Sequence, residues 1–468
     1  MGVKRGVATV LVALVATAGA GIAAAGEGGG KEKGNRWRQL GYDLASTFHN
    51  RDSSLTPKRA AALETAWEYE APQSVNGAPA AAGDRVYVLS RDALVALDSD
   101  SGTEVWKRDD IGGSSSPTIA GGVVFALGGD PTLWAVDAET GEDVWSVPAD
   151  DQEFASGFSS PVVTKDAVIV GLSSIEEVAA EANATYRGGV AAFDRKTGEE
   201  LWRYRTAEPP YNGVSVWSTV SVDVDAGIVF ATTGNNYTEE AGPTSDSIIA
   251  LDLATGEPRW IRQVTEGDVF TVPTARSQDS DFGTNPILFE AEIGGERRKL
   301  VGAGQKSGVF WVLDRETGEI VWQRQVSDGS ALIGGVFNNG AYDGTRIIVA
   351  GNNGPPGPGP ADDRPRTGEV GTSVLMALDP ATGEIEWQQP LDNYVWAPIT
   401  LADGVGFVAV DRELRAFDTK TGEELFRLET VGTISSAPVV AGDSVYFGSG
   451  LGYFPPTKSG QTVYALEA

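Results

Sequence analysis

Apolar positions along this chain alternate in short runs, each closed by an acidic turn and followed by a second run ending in an aromatic residue. "ALVALDSDSGTEVW" carries Asp98, Gly102 and Trp106, and "LWAVDAETGEDVW" carries Asp137, Gly141 and Trp145. The pattern returns with Asp194, Gly198 and Trp202, with Asp252, Gly256 and Trp260, and with Asp314, Gly318 and Trp322. It appears again at Asp379, Gly383 and Trp387, and last at Asp418 and Gly422 with Phe426 in place of tryptophan. Alternation of this kind predicts half-buried strands. The aspartate caps the turn through backbone N–H groups, and glycine supplies the positive φ. The closing aromatic offers a large apolar surface for a neighbouring unit to cover. Seven copies therefore predict one repeated β-unit.

Consecutive motif aspartates lie 39 residues apart at the closest (Asp98 to Asp137) and 65 at the widest (Asp314 to Asp379). About forty residues suits a four-stranded propeller blade, the longer repeats carrying loop insertions. The chain ends supply complementary halves. "TVYALEA" at the C-terminus reads as a first strand with Glu467 at the aspartate position, and "LETAWEYEAP" places Trp67 39 residues before Trp106. Joined, they make an eighth blade and leave no sheet edge open. The expected fold is all-β: one eight-bladed β-propeller over 36–468, its last blade closed by N- and C-terminal strands. An open solenoid would need no such half-repeats. The Pro/Gly run "GPPGPGPADDRPR" (354–366) reads as a surface loop.

Lys4 and Arg5 precede an apolar run from Val7 to about Ala25 that ends in small residues. Residues 1–25 have the layout of a secretory signal peptide, and 26–35 read as a flexible polar linker. An uncleaved anchor is the other reading, since the run is nearly long enough to span a bilayer. The expected location is periplasmic or secreted, without membrane insertion after cleavage.

Composition then narrows the chemistry. With 65 Asp+Glu against 36 Lys+Arg the formal charge is −29, which disfavours nucleic acid and anionic lipid as partners. There is no cysteine, so disulfides, thiolate metal sites, cysteine nucleophiles and covalently attached c-type haem are excluded. His49 is the one histidine, which leaves a Ser-His-Asp hydrolase or a His-ligated metal almost nothing to work with. A bound metal should be a hard cation on oxygen ligands.

The repeats resemble the tryptophan-docking motifs of the quinoprotein alcohol dehydrogenases, which bind pyrroloquinoline quinone (PQQ) and Ca²⁺ in an eight-bladed propeller. Within that family "RWRQLGYDLASTFHN", "TGNNY" and "GQKSGVFWVLD" are most similar to the polyvinyl-alcohol-dehydrogenase-like branch. The resemblance implies roles for particular residues. "VGLSSIEE" is similar to the segment carrying the calcium carboxylate, which puts that role on Glu176, with Glu177 as fallback and Ser173 toward the cofactor. "YRGG" nominates Arg187 as a structural or cofactor-side cation. In "VWSTVSVDVDAGIVFATTGNNY", Trp217 takes the place of the stacking indole and Asn235 that of the calcium-binding amide. "DSDFGTNPILFE" places Asp281 as catalytic base, with Ser280 where relatives carry Trp and with Asp279 and Asp268 nearby. Lys306 matches the cation beside the quinone oxygens, and Asn338 an amide contact.

A carboxylate base and a cation are what alcohol oxidation asks for: one takes the hydroxyl proton, the other stabilises negative charge on the reduced acceptor. The resemblance implies a small-molecule or polymer alcohol as substrate and a separate electron acceptor. The vicinal Cys-Cys disulfide that covers PQQ in many relatives is impossible here. A non-catalytic propeller serving as an envelope scaffold or binding protein is the alternative function, since the repeat also occurs in such proteins. A glycosidase built on paired carboxylates has no motif behind it.

Overall fold

The computed structural model describes residues 36–179, 184–238, 240–272, 279–329, 334–353, 371–451 and 458–468. The signal-peptide and linker readings (1–25 and 26–35) and the 354–366 loop lie outside these. Eight antiparallel sheets form, one per predicted repeat. Blades 1 to 4 occupy 80–108, 118–148, 162–205 and 221–263, and blades 5 to 7 occupy 287–325, 341–391 and 400–429. Blade 8 joins Val439–Ala441, Ser444–Gly448 and Thr462–Glu467 to the N-terminal strand Glu64–Glu70. Trp67 pairs with Ala465 in that closure, so the two half-repeats meet as the sequence predicts.

Each motif tryptophan docks on the turn of the following blade. Trp106 donates its indole N–H to the Ala138 carbonyl at 3.0 Å, Trp202 to Leu253 at 2.9 Å and Trp322 to Pro380 at 3.0 Å. The indole faces cover the turn glycines. A Cβ on Gly256, whose φ is +73°, would lie 2.4 Å from Trp202. Glycine is thus required twice, by the backbone and by the packing. The departure at Phe426 has a structural reason. The blade it precedes is stitched from both termini and has no Asp-Gly turn, so no turn carbonyl awaits an indole N–H.

The segment before the first blade closes one end of the central channel. Trp37 pairs with Ala81, and the carbonyls of Arg38, Leu44, Ala45, Thr47 and Phe48 accept N–H bonds from Ile119, Val222, Leu288, Tyr342 and Leu401 at 2.7 to 2.9 Å. Asn50 donates its side-chain amide to the Val440 carbonyl at 2.8 Å. Every partner is the second residue of an innermost strand, and seven of the eight blades contribute one. The segment satisfies the free N–H groups of those edges and floors the channel. Phe48, fully buried, anchors it.

Candidate functional site

At the other mouth, the four residues before each innermost strand form a second repeat. They read NGAP (76–79), SSSP (114–117), FSSP (158–161), WSTV (217–220), GTNP (283–286), FNNG (337–340), WAPI (396–399) and SSAP (435–438). Their third members make a hydrogen-bonded belt from blade to blade. The backbone N–H of Ala78 donates to Ser116 Oγ at 2.8 Å, that of Ser116 to Ser160 Oγ at 2.9 Å, and that of Ser160 to Thr219 Oγ1 at 2.8 Å. Thr219 continues the belt to Asn285 Oδ1 at 2.9 Å, and Asn285 to Asn339 Oδ1. The belt fixes the register of the first members, Asn76, Ser114, Phe158, Trp217, Gly283, Phe337, Trp396 and Ser435, as a ring. Neighbours on it touch. Asn76 lies 3.4 Å from Ser114 and 3.3 Å from Ser435, and the Phe337 and Trp396 rings stand 6.0 Å apart. A Cβ on Gly283 would meet the Trp217 ring at 2.3 Å. The ring is polar in blades 8, 1 and 2, and aromatic or glycine in blades 3 to 7.

The candidate chemistry lies beside the aromatic arc. Glu177, Asn235 and Lys306 each follow the second strand of blades 3, 4 and 5, and Asp281 precedes the first strand of blade 5. In an antiparallel blade these positions share one edge. Asp281, nearly fully buried, accepts the Trp217 indole N–H on Oδ2 at 2.8 Å and meets the Lys306 ammonium through Oδ1 at 2.8 Å. Lys306 Nζ also reaches Asp279 Oδ2 at 2.7 Å and stands 5.3 Å over the Trp217 ring. Burial works against the ammonium, but Asp279, Asp281 and Glu177 outweigh it and hold Lys306 well above the ordinary lysine range.

The same cluster concentrates carboxyl groups. Burial, opposed by Lys306 and reinforced by Asp281 and Asp268, pushes Glu177 up to about 7. Burial also pushes Asp268 up to about 6, against the backbone N–H of Ser280 that bonds its Oδ2 at 2.6 Å. Asp246 and Asp279 are raised well above the usual carboxylate range, by burial first and then by neighbouring carboxylates. Five acids thus face one ammonium. Four buried oxygens of this cluster have no hydrogen-bond partner, namely Asn235 Oδ1, Asp268 Oδ1 and both carboxylate oxygens of Asp246, while Asp281 Oδ1 meets only the Lys306 ammonium. Among the described residues no three Asp, Glu, His or Cys side chains gather closely enough to hold a metal alone. A hard cation here would need the Asn235 amide oxygen and a further ligand beside the carboxylates. The donor set is all oxygen, which suits Ca²⁺. The partly exposed Trp217 ring, with glycine rather than a side chain next to it, suits a flat ring.

The structure brings Trp217, Asp281 and Lys306 into direct contact and turns Glu177, not Glu176, toward them. Glu176 is spent on the backbone: its carboxylate accepts the N–H of Thr185 at 2.9 Å and of Tyr186 at 2.8 Å, anchoring its own loop. Ser173 gives its hydroxyl to the Ser156 carbonyl at 2.8 Å, and the alternate residue Ser174 faces Tyr237 Oη at 3.4 Å. Arg187 points to solvent and pairs with Glu208 at 3.0 Å, away from the cluster. Asn338 bonds the Val395 carbonyl and supports the Phe337–Trp396 arc. Asn235 donates its amide N–H groups to Asn236 and Phe270 carbonyls at 2.7 and 2.8 Å, which aims its oxygen the other way. Sequence reading missed the ring and Asp246. The second repeat, with proline fourth in five of its eight copies, was the available signal for the ring; nothing local marks Asp246.

Comparison with known proteins places this geometry. Residues 147–328 match the family model for the PQQ-type β-propeller domain of glucose/ethanol/alcohol dehydrogenases, and 305–466 match that of the outer membrane protein assembly factor BamB. The chain is 28% identical to a polyvinylalcohol dehydrogenase of Pseudomonas sp., over 89% of this chain and 73% of that one. It is 29% identical to the polyvinylalcohol dehydrogenase of Sphingopyxis sp. (strain 113P3), over 89% and 72%. Among solved structures, the quinohemoprotein alcohol dehydrogenase from Comamonas testosteroni superposes with a TM-score of 0.77 at 21% identity, covering 92% of this chain and 80% of that one. A europium-containing methanol dehydrogenase gives 0.75 at 18%, covering 94% and 99%. Repeat, blade number and superposition agree on an eight-bladed β-propeller, and the chain is similar to the PQQ-type alcohol dehydrogenases and to the polyvinylalcohol dehydrogenases.

Proposed function

We propose that this protein is an exported, periplasmic or secreted, PQQ- and Ca²⁺-dependent dehydrogenase that oxidises an alcohol or polyol hydroxyl and passes the electrons to a separate acceptor. The observation that carries the reading is the buried Asp281 held between the Trp217 indole and the Lys306 ammonium at one mouth of the channel. Polyvinylalcohol dehydrogenases among the relatives support a hydroxyl substrate.

When bound, PQQ would supply the carbonyl that accepts hydride. Trp217 offers the flat face, and Gly283 keeps that face clear. Asp281 takes the hydroxyl proton on a carboxylate oxygen as the C–H bond breaks. Lys306 stabilises negative charge developing beside it. Asp279 matters here: by sharing the ammonium it keeps Lys306 from neutralising Asp281 alone. Glu177 and the Asn235 amide oxygen would hold the cation. This sequence has no cysteine to attach a c-type haem, which supports a separate electron acceptor.

The test is reconstitution with PQQ and Ca²⁺, followed by dye reduction with primary and secondary alcohols. The expected results are a spectral change of the quinone with quenching of tryptophan emission, and loss of turnover by at least about a hundredfold in Asp281→Asn. No spectral change at saturating PQQ and Ca²⁺ would reject the proposal. The match of 305–466 to an assembly-factor model supports a second reading, a binding scaffold. Under it Asp281→Asn leaves the biological role intact.

A further inference from the structure

Eleven large apolar side chains stand exposed among the described residues. Five of them, Val105, Val144, Leu201, Ile320 and Ile385, recur on the outermost strands of blades 1, 2, 3, 5 and 6. They are by-products of the repeat. Val224 and Val431 stand alone. The other four do not follow the repeat and lie in one stretch of blade 3: Phe154 (40% exposed), Phe158 (39%), Ile175 (46%) and Val178 (57%).

These four adjoin the candidate site. Ala155 and Ser156 pair with Ser174 and Ser173, and the Ile175 N–H donates to the Phe154 carbonyl at 3.0 Å. The Val178 N–H donates in turn to the Ile175 carbonyl at 3.0 Å. Glu177, which feels Lys306 and Asp281, lies between Ile175 and Val178 in the chain. Phe158 is the blade-3 member of the mouth ring, in the register position Trp217 holds in blade 4. Phe154 sits at φ +66°, an unfavourable backbone for a bulky residue, while also exposing its ring to water. Neither feature favours stability.

We infer that Phe154, Phe158, Ile175 and Val178 form a hydrocarbon subsite that holds the carbon skeleton of the alcohol while one of its hydroxyls reaches Asp281. The inference rests on the dehydrogenase reading and adds the residues that set substrate shape. The four side chains present on the order of 300 Å² of apolar surface, well short of the ~800 Å² per partner in a standard protein interface. A carbon chain is therefore the occupant that fits, and a protein partner is not.

The experiment compares the PQQ- and Ca²⁺-loaded protein with Phe154→Ser and Phe158→Ser, assaying 2-propanol, 2-decanol and polyvinyl alcohol oligomers. Saturation-transfer NMR with 2-decanol on the cofactor-free protein provides a readout independent of turnover. The expected result is a rise in KM of roughly tenfold or more for the long substrates, with 2-propanol kinetics and kcat unchanged, and loss of 2-decanol saturation transfer. Equal losses for short and long alcohols, or none, would overturn the inference. So would normal kinetics with every alcohol combined with slower electron delivery to a protein acceptor. Wild-type transfer that the variants lose, without any alcohol oxidation, would retain the subsite and reject the dehydrogenase reading.

Discussion

Replacing Lys306 by methionine tests whether the carboxyl cluster is held by one cation. Lys306 is 7% exposed, with its ammonium 2.7 Å from Asp279 Oδ2 and 2.8 Å from Asp281 Oδ1. Removing one partner of a buried ion pair costs about 3–5 kcal/mol when the remaining charge must stay ionised. Here it need not. Asp279 is already raised well above the usual range by burial and by Asp281, and losing Lys306 raises it further. A carboxyl raised in the folded state favours folding at low pH, and that contribution is lost as pH rises through its folded value. At pH 5 the variant can protonate Asp279, leaving mainly the lost hydrogen bonds, about 1–3 kcal/mol. At pH 8 the full 3–5 kcal/mol should appear. Urea unfolding of the metal-free protein at both pH values, followed by tryptophan emission, reads the difference. Destabilisation of the same size at pH 5 and pH 8 would show that the cluster is not organised by this charge.

Three further expectations follow from the packing and the electrostatics. Gly256→Ala should cost about 2–5 kcal/mol in urea unfolding, because it adds left-handed strain to a 2.4 Å clash with Trp202, whereas Gly267→Ala, at φ +77° with open space around it, should cost only about 1–2 kcal/mol. Phe426→Trp should bring no gain in stability and a loss of up to about 3 kcal/mol, since the blade beyond it has no turn carbonyl to receive the indole N–H. The metal-free protein should lose thermal stability as pH rises through about 6 to 7, the raised values of Asp268 and Glu177, and excess Ca²⁺ at pH 7.5 should recover at least about 2 °C of Tm.

The repeat was legible because it is local. Asp, Gly and Trp at fixed offsets specify a turn, a positive φ and a docking face within one hairpin, so seven copies show the blade directly. Closure was legible too, since Trp67 and "TVYALEA" are incomplete alone. The site was legible only in part. Trp217, Asp281 and Lys306 stand at motif positions and meet in space, but choosing between Glu176 and Glu177 needed the loop conformation. Adjacent residues at the start of a short helical turn point in different directions, and here the backbone of Thr185 and Tyr186 claims the first. Arg187, left open between a structural and a cofactor-side role, sits at an isolated bridge to Gly213, and its guanidinium pairs with Glu208. Asp246 lies beyond any local rule, because three-dimensional convergence alone brings it to the cluster.

Repetition and departure from it divide the work in this molecule. Positions shared by most blades, the turn glycines of blades 1 to 7 and the belt residues of blades 1 to 6, are set by backbone geometry and hydrogen bonding. Where a blade departs from the consensus at an exposed inner position, folding gives no reason for the choice. The mouth ring illustrates this: Ser435, Asn76 and Ser114 hydrogen-bond one another on one side, while Phe158, Trp217, Phe337 and Trp396 take the other. Phe158, 39% exposed at this mouth, lacks much of the burial that would stabilise its ring, whereas Trp396 is buried and Trp217 and Phe337 are partly exposed. With the opposite end floored by 36–50, a ligand must approach from this mouth, across the aromatic arc and the acids behind it. Phe154 is the strongest single case, because it combines an exposed ring with a strained backbone beside Glu177. A site selected for binding explains that combination, and a site selected for folding does not.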